Sequence, residues 1–283
     1  MTTVDLAITE PCVIDDMDEA VYHSDPVPGG SLSSGGARTL LEPGGPAKFH
    51  YVRNHPRTTS TKSFDLGHAA HTLALGIGSE IHAVKAKDWK TKAAQQERDD
   101  ARAAGKVPVL EADKHRVEAM VKAIKSHRLA GGLLQTGTPE LSAFWQDETT
   151  GVWCRARWDW KTHSRSGRLV LVDLKTCENA YEAAVSKSFG NYGYHQQDEW
   201  YRRPARVLGL DDDPGFVFIF VEKQPPHLVQ VVQLNAEDVE VGRRRNDAAL
   251  RIYAECTRTG DWPGYGDDIA EISLPPYYPR QEF

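Results

Sequence analysis

An acid and a base stand two residues apart near the end of an apolar run, Asp173 and Lys175 in "LVLVDLKT" (residues 169–176). Side chains alternate along a strand, so residues two apart face the same way and both charges leave one face together. Burying either is costly unless it is paired or bound to something. Two arrangements meet that condition: an ion pair between the two, or a metal-binding carboxylate beside an ammonium that handles an anion. A second acid, Asp159, closes the preceding apolar segment in "RARWDW". Should Asp159 and Asp173 meet, they repel and raise each other's pKa unless a cation lies between them. Oxygen ligands of this kind suit Mg²⁺ or Mn²⁺ rather than zinc. In a meander the end of one strand lies diagonal to the start of the next, so the meeting calls for an offset, a bulge or a folded-back loop.

The elements that must position these groups are readable in outline. "ELSAFWQD", "GVWCRARWDW" and "RLVLVDLKT" are strand candidates; "ETTG" is a hairpin turn between the first two and "KTHSRSG" joins the last two. Before them, Ser33 or Ser34 caps a short helix running to Leu41, and small residues with leucines at helical spacing make a closely packed helix over 66–75. Residues 83–106 are polar and read as an exposed helix or loop. Val117, Met120, Val121 and Ile124 form the stripe of an amphipathic helix, which Gly131 and Gly132 are expected to stop. After the strands come helices in "ENAYEAAVSKSF" and "YHQQDEWYRRPARVLG", where Pro204 should kink the second or begin a new one. Strands "GFVFIFVEK" and "LVQVVQLN" follow, then a helix over 236–259 stopped by Gly260. The order predicts an α/β fold around one central mixed sheet flanked by helices. Residues 1–30 read as an acidic N-terminal arm, and 31–283 as a single domain whose proline-rich and aromatic tail is extended over the surface.

The 283 residues are enough for a full core without staples, with 40% hydrophobic and 26% charged residues. No apolar run is long enough to span a bilayer and the start lacks a secretory pattern, so the expectation is a cytoplasmic protein with no membrane partner. Cys12, Cys154, Cys177 and Cys256 are scattered without a C-x-x-C pair, which supports neither a zinc site nor a disulfide framework. A net charge of -6 argues against a nucleic-acid partner, but its distribution is uneven. Residues 1–36 hold seven acids and no lysine or arginine, whereas 83–128 hold twelve lysines and arginines against seven acids. A basic flank beside acidic patches is compatible with a nucleic-acid groove centred on metal-binding carboxylates, and equally with solvated helix faces.

Asp159 followed by Asp173-Leu174-Lys175 resembles the D…(D/E)-x-K signature of the PD-(D/E)XK nucleases. Gly67-x-x-x-His71 in "GHAAH" is similar to the upstream histidine helix of the RecB-type branch, and Gln197-x-x-x-Tyr201 to its downstream helix motif. "SLSSGGARTLL" and the "VEKQPP…ISLPPYYP" ending look like the RecE-like exonuclease VIII group, including phage versions. The likeness runs from about residue 22 to 279. Pro204 departs from it, as does the stretch before residue 21. Taken singly each residue has a plainer account: His71 a hydrogen-bonded core histidine, Asp159 a turn cap, Gln197 and Tyr201 an exposed polar and a packing aromatic. The joint order of five features favours the family.

What the resemblance implies is a PD-(D/E)XK core and a Mg²⁺-dependent exodeoxyribonuclease, with Mn²⁺ able to substitute. Asp159, Asp173 and the Leu174 carbonyl would hold the ion, with His71 in or next to that shell and Glu140 a further ligand. Lys175 would orient or deprotonate the attacking water. Gln197 and Tyr201 would touch the DNA backbone or brace the site. The expected substrate is the double-stranded DNA end, digested 5′ to 3′, in recombination with a single-strand annealing partner, by a homo-oligomeric ring in a bacterial host cell. A non-cutting DNA-binding or assembly module on the same fold is the alternative. The CRISPR-associated RecB-like type, with its iron–sulfur cysteines, is disfavoured because Cys256 stands alone in the tail.

Overall fold

The computed structural model describes residues 6–55, 62–76 and 80–275, with side chains at all of these but 62–66 and 68. In chain order the elements are β1 (Cys12–Ile14), α1 (Glu19–His23), β2 (Leu32–Ser33), α2 (Ser34–Leu40), α3 (Gly45–Asn54) and α4 (Lys62–Leu75). Then come β3 (Ile81–Val84), α5 (Lys92–Ala103), β4 (Val107–Leu110), α6 (Glu111–Ser126), α7 (Arg128–Leu133), β5 (Thr138–Gln146), β6 (Trp153–His163) and β7 (Leu169–Cys177). The chain goes on through α8 (Glu182–Tyr192), α9 (Tyr194–Val207), β8 (Gly215–Glu222), β9 (Val229–Val232) and α10 (Ala236–Thr259).

Among the described residues, seven strands form one mixed sheet in the order β1-β5-β6-β7-β8-β9, with β2 pairing to β6. β5, β6 and β7 make the expected antiparallel meander, and β8 joins β7 in parallel across Val170↔Gly215 to Cys177↔Glu222. Helices pack on both faces of this central strand, and β7 is accordingly buried from Leu169 to Leu174. One face of the sheet packs against α4 and α6, with Ala69, Ala70, Val117, Met120 and Ile124 meeting Val172, Leu174, Ile219 and Val221. On the other face Val185 of α8 and Ala205 of α9 meet Leu171, Phe216 and Phe218. α10 lies outside α9, capped by the Asn235 side chain and ended by Gly260 at φ 74°.

Several boundaries differ from the sequence reading for local reasons. α6 ends at His127, not at the Gly131–Gly132 pair, because the His127 ring accepts the Ala130 N–H and starts α7, which contains both glycines. Pro204 does not begin a new helix: α9 runs through it to Val207. The polar segment forms the mostly exposed helix α5 as read, and the short strands at its two ends, β3 and β4, pair in parallel. Part of the acidic lead-in is built into the sheet: β1 pairs with β5, and Ile8, Met17, Tyr22 and Val27 bury themselves around Phe144. In the tail, Trp262 stacks on Phe49 and His50. The expected course of the tail beyond residue 275, and the first five residues of the arm, lie outside the described residues.

Candidate active site

The β6–β7 ladder runs from His163↔Leu169 to Trp160↔Val172 and stops there. One step further the same register sets Asp159 opposite Asp173. This overturns the diagonal arrangement expected from strand order: β6 does not end at Asp159 but runs on to His163. In place of the next ladder bond, Asp159 Oδ2 accepts the Leu174 N–H at 2.8 Å. On the other side of β6, pairing with β5 skips from Pro139↔Trp160 to Leu141↔Trp158, leaving Glu140 out of the ladder at φ 51°. Glu140, Asp159 and Asp173 therefore stand at one level across three neighbouring strands.

The strand turns over at this level. Trp158 donates its indole N–H to the Tyr201 carbonyl on α9, whereas Trp160 donates to Leu133 at the end of α7. Residues two apart on a regular strand share a face, so the backbone has twisted between them. The sheet thus opens where the acids sit, and both helical layers reach in. From α4, His71 places Nε2 at 3.0 Å from Asp159 Oδ2 and Nδ1 at 3.2 Å from Glu140 Oε1. From α9, Gln197 donates to Asp173 Oδ1 at 2.6 Å. Lys175 lies 2.6 Å from Asp173 Oδ2.

Asp173, Asp159, Lys175, His71 and Glu140 are thus brought together, and Gln197 with them. These six side chains form one connected cluster. The sequence profile of the PDDEXK-like domain of unknown function (DUF3799) matches residues 47–274 of this chain. The chain belongs to that PDDEXK-like family. Among solved structures, a candidate exonuclease from Eubacterium rectale is similar over 87% of this chain and 88% of that chain, with TM-score 0.59 and 12% identity. At that identity the likeness is one of fold. The structure of SSO0001, at TM-score 0.30 and 11% identity over 71% of this chain and 86% of that one, is too distant to carry an argument. No curated protein matches.

Within this PDDEXK-like domain the charges hold one another. Burial pushes the Asp173 carboxyl up to about 6, with the charge of Asp159 adding to the push and the Lys175 ammonium opposing it. Burial acts the same way on Asp159, but His71, by charge and hydrogen bond, outweighs it and the carboxyl stays below its ordinary value. Burial would lower His71; Asp159, followed by Glu140, overrides it and holds the imidazole up at about 9. Lys175 is likewise held above its ordinary value, against burial, by Asp173 and Asp159.

Among the described residues, no three His, Cys, Asp or Glu side chains stand ready-placed around one point for a metal ion. His71 and Lys175 take up the space beside the two aspartates. The donor set nonetheless fits a hard divalent cation. Asp159 and Asp173 bring carboxylate oxygens to one point, the hard ligands a divalent cation takes, and Asp173 Oδ2 is already paired with a cation there, the Lys175 ammonium at 2.6 Å. The N–H and C=O of one strand residue point toward the same neighbour, so the Leu174 carbonyl also faces the opening where Asp159 sits.

Two contributors escaped the sequence reading. Arg157 hydrogen-bonds Glu140 through Nε and Oε2 and lies over the Tyr22 ring, 5.5 Å from its centroid. Its place two residues before Asp159 was the available signal. Tyr194 sits with its ring centroid 5.2 Å from the Lys175 ammonium. Tyr194, Gln197 and Tyr201 follow the i, i+3, i+7 spacing of one helix stripe, which would have revealed it. Tyr201 itself packs edge-on against Phe216 at 5.7 Å.

Proposed function

We propose that this protein is a metal-dependent nuclease that hydrolyses phosphodiester bonds at double-stranded DNA ends. The observation that carries the reading is the level row of Glu140, Asp159 and Asp173, with Lys175 and His71 closing on it from the same opening. Membership of a PDDEXK-like family supports it, and so does the fold shared with a candidate exonuclease.

Asp159, Asp173 and the Leu174 carbonyl would hold Mg²⁺, or Mn²⁺ in its place, with His71 and Glu140 beside them. Such an ion lowers the pKa of a bound water and offsets negative charge on a phosphate. The chain's own groups do the rest. Gln197 occupies Asp173 Oδ1 and so fixes which oxygen faces the opening. Lys175, steadied by the Tyr194 ring, offers N–H donors to the attacking water or to a non-bridging phosphate oxygen. The water oxygen bonds to phosphorus and gives up a proton to solvent, the bond to the leaving sugar oxygen breaks, and that oxygen takes a proton from solvent.

The RecE-like resemblance supports the finer reading: 5′ to 3′ digestion in recombination, a single-strand annealing partner, a homo-oligomeric ring, and work in the cytoplasm of a bacterial host. Gln197 serves as a brace in this structure, and Tyr201 packs one turn further along.

The test is digestion of linear duplex labelled at either end, against a closed circular control, with Mg²⁺. Wild-type protein should release the 5′ label from linear DNA and spare the circle, while Asp173→Ala and Lys175→Ala do nothing. Wild-type protein that shifts DNA without cutting it would favour the non-cutting module instead.

A further inference from the structure

The run of side-chain contacts does not end at Lys175. Its ammonium lies on the face of Tyr194, whose ring is locked from behind by Phe189 at 5.5 Å and 90° and by Phe218 at 5.6 Å. Outward from Tyr194 comes Tyr192, its ring centroid 5.6 Å away at 32° and its surface 55% exposed. Tyr51, Tyr181 and Tyr265 are more exposed still; what sets Tyr192 apart from them is that its ring meets the aromatic carrying the Lys175 ammonium.

The backbone that presents Tyr192 is itself fixed. Gly193 ends α8 and begins α9 in the left-handed region at φ 66°. Exposed Arg38 presses so close that a Cβ on Gly193 would meet its Cδ at 2.9 Å, and the Arg38 guanidinium donates to the Tyr192 carbonyl. The Tyr192 ring lies beside the Tyr194 ring that carries the Lys175 ammonium, and the Arg38 guanidinium is held at the Tyr192 carbonyl. An exposed aromatic face with cationic groups near it on both sides fits a ligand that is flat and anionic together. A nucleotide at a DNA end is such a ligand, since every base has a π-face to stack and a phosphate attached.

Resting on the nuclease reading above, we propose that Tyr192 is the stacking platform for the terminal base of the DNA end, and sets how that end is presented to Lys175. The sequence-tolerant nature of stacking makes the subsite one for any base rather than for a particular sequence.

The experiment is a cycle between protein and DNA. Dissociation constants in EDTA and KM and kcat in Mg²⁺ are measured for wild type, Tyr192→Phe and Tyr192→Leu. The duplexes carry either natural ends or ends whose last nucleotides are abasic. The inference expects Tyr192→Leu to raise Kd and KM for natural ends about tenfold, with kcat and the melting temperature little changed. Tyr192→Phe should behave as wild type, abasic ends should weaken wild type to a similar degree, and abasic ends should not weaken Tyr192→Leu further. Equal binding of natural ends by wild type and Tyr192→Leu overturns the platform while leaving the nuclease reading intact. Additive losses from the variant and the abasic end also overturn it. A wild-type protein that neither binds nor cuts duplex ends overturns both.

Discussion

Asp159 takes the backbone N–H of Leu174 where the β6–β7 ladder should have placed a carbonyl. A side chain has been substituted into a sheet's hydrogen-bond pattern, and the price of that substitution is the opening into which His71 and Lys175 reach. The Asp159 oxygen that takes this N–H, Oδ2, also lies within hydrogen-bond reach of His71, so the carboxylate both wedges the strands apart and anchors α4.

Asp173→Asn keeps the shape of the buried side chain and the Gln197 contact while removing the charge. DNA hydrolysis should fall by at least about 100-fold, the scale set by loss of a catalytic acid–base group. The folded protein should not suffer comparably, because burial already resists ionisation at this position. Digestion assays paired with thermal melts check it; retained digestion would remove Asp173 from the proposed chemistry.

His71 gives a pH signature in metal-free protein. Its folded value of about 9 lies above the ordinary 6.5, so folding favours the proton. The stability this contributes is complete below about pH 6.5 and is lost as pH rises through about 9. That interval caps the contribution at about 3 kcal/mol. Melts in EDTA should show wild type losing its advantage over His71→Gln across that window; a constant gap would contradict the charged imidazole.

Glu140 holds a left-handed backbone conformation that glycine adopts freely. Glu140→Gly and Glu140→Ala both lose the contacts to Arg157 and His71, but only glycine relieves the backbone. The glycine variant should be the more stable of the two by about 1 kcal/mol in urea unfolding. Both should weaken Mn²⁺ binding in a titration if Glu140 contributes to the ion's surroundings. Equal unfolding midpoints would mean that the strain is absent.

Tyr22 lies under both guanidinium groups of β6, 5.6 Å from Arg155 and 5.5 Å from Arg157. Since Arg157 in turn holds Glu140, Tyr22→Leu should cost about 2 kcal/mol of stability, from two partly desolvated cation–π contacts and a poorer fill. Tyr22→Phe, which keeps the ring face, should cost less than half of that. Chemical denaturation of the two variants distinguishes the ring's role from that of its hydroxyl.

Much of this was readable before any coordinates. The alternating and continuous apolar runs that became β5 to β7, the Asp-x-Lys at the end of β7, and His71 on a small-residue helix are patterns with short-range causes. What stayed hidden depends on register. Asp159 appeared to sit at a strand end because the apolar alternation fades after Trp160, yet Lys161, Thr162 and His163 still pair with β7 and thereby carry Asp159 level with Asp173. The place of Glu140 rests on one unusual φ value, for which glutamate gives no propensity signal. β3 and β4 were masked by their brevity amid charged neighbours. His127 outcompeted the glycine pair as a helix stop through a single side-chain hydrogen bond.

The proposed site gathers its parts from α4, β5, β6, β7 and α9, in that order along the chain. During synthesis, therefore, no amino-terminal portion shorter than roughly its first two hundred residues owns a complete set, since α9 is the last contributor to leave the ribosome. A chain released before α9 would carry the acids, His71 and Lys175 but lack the Gln197 brace on Asp173 Oδ1, so the proposed site would be completed only at this last step.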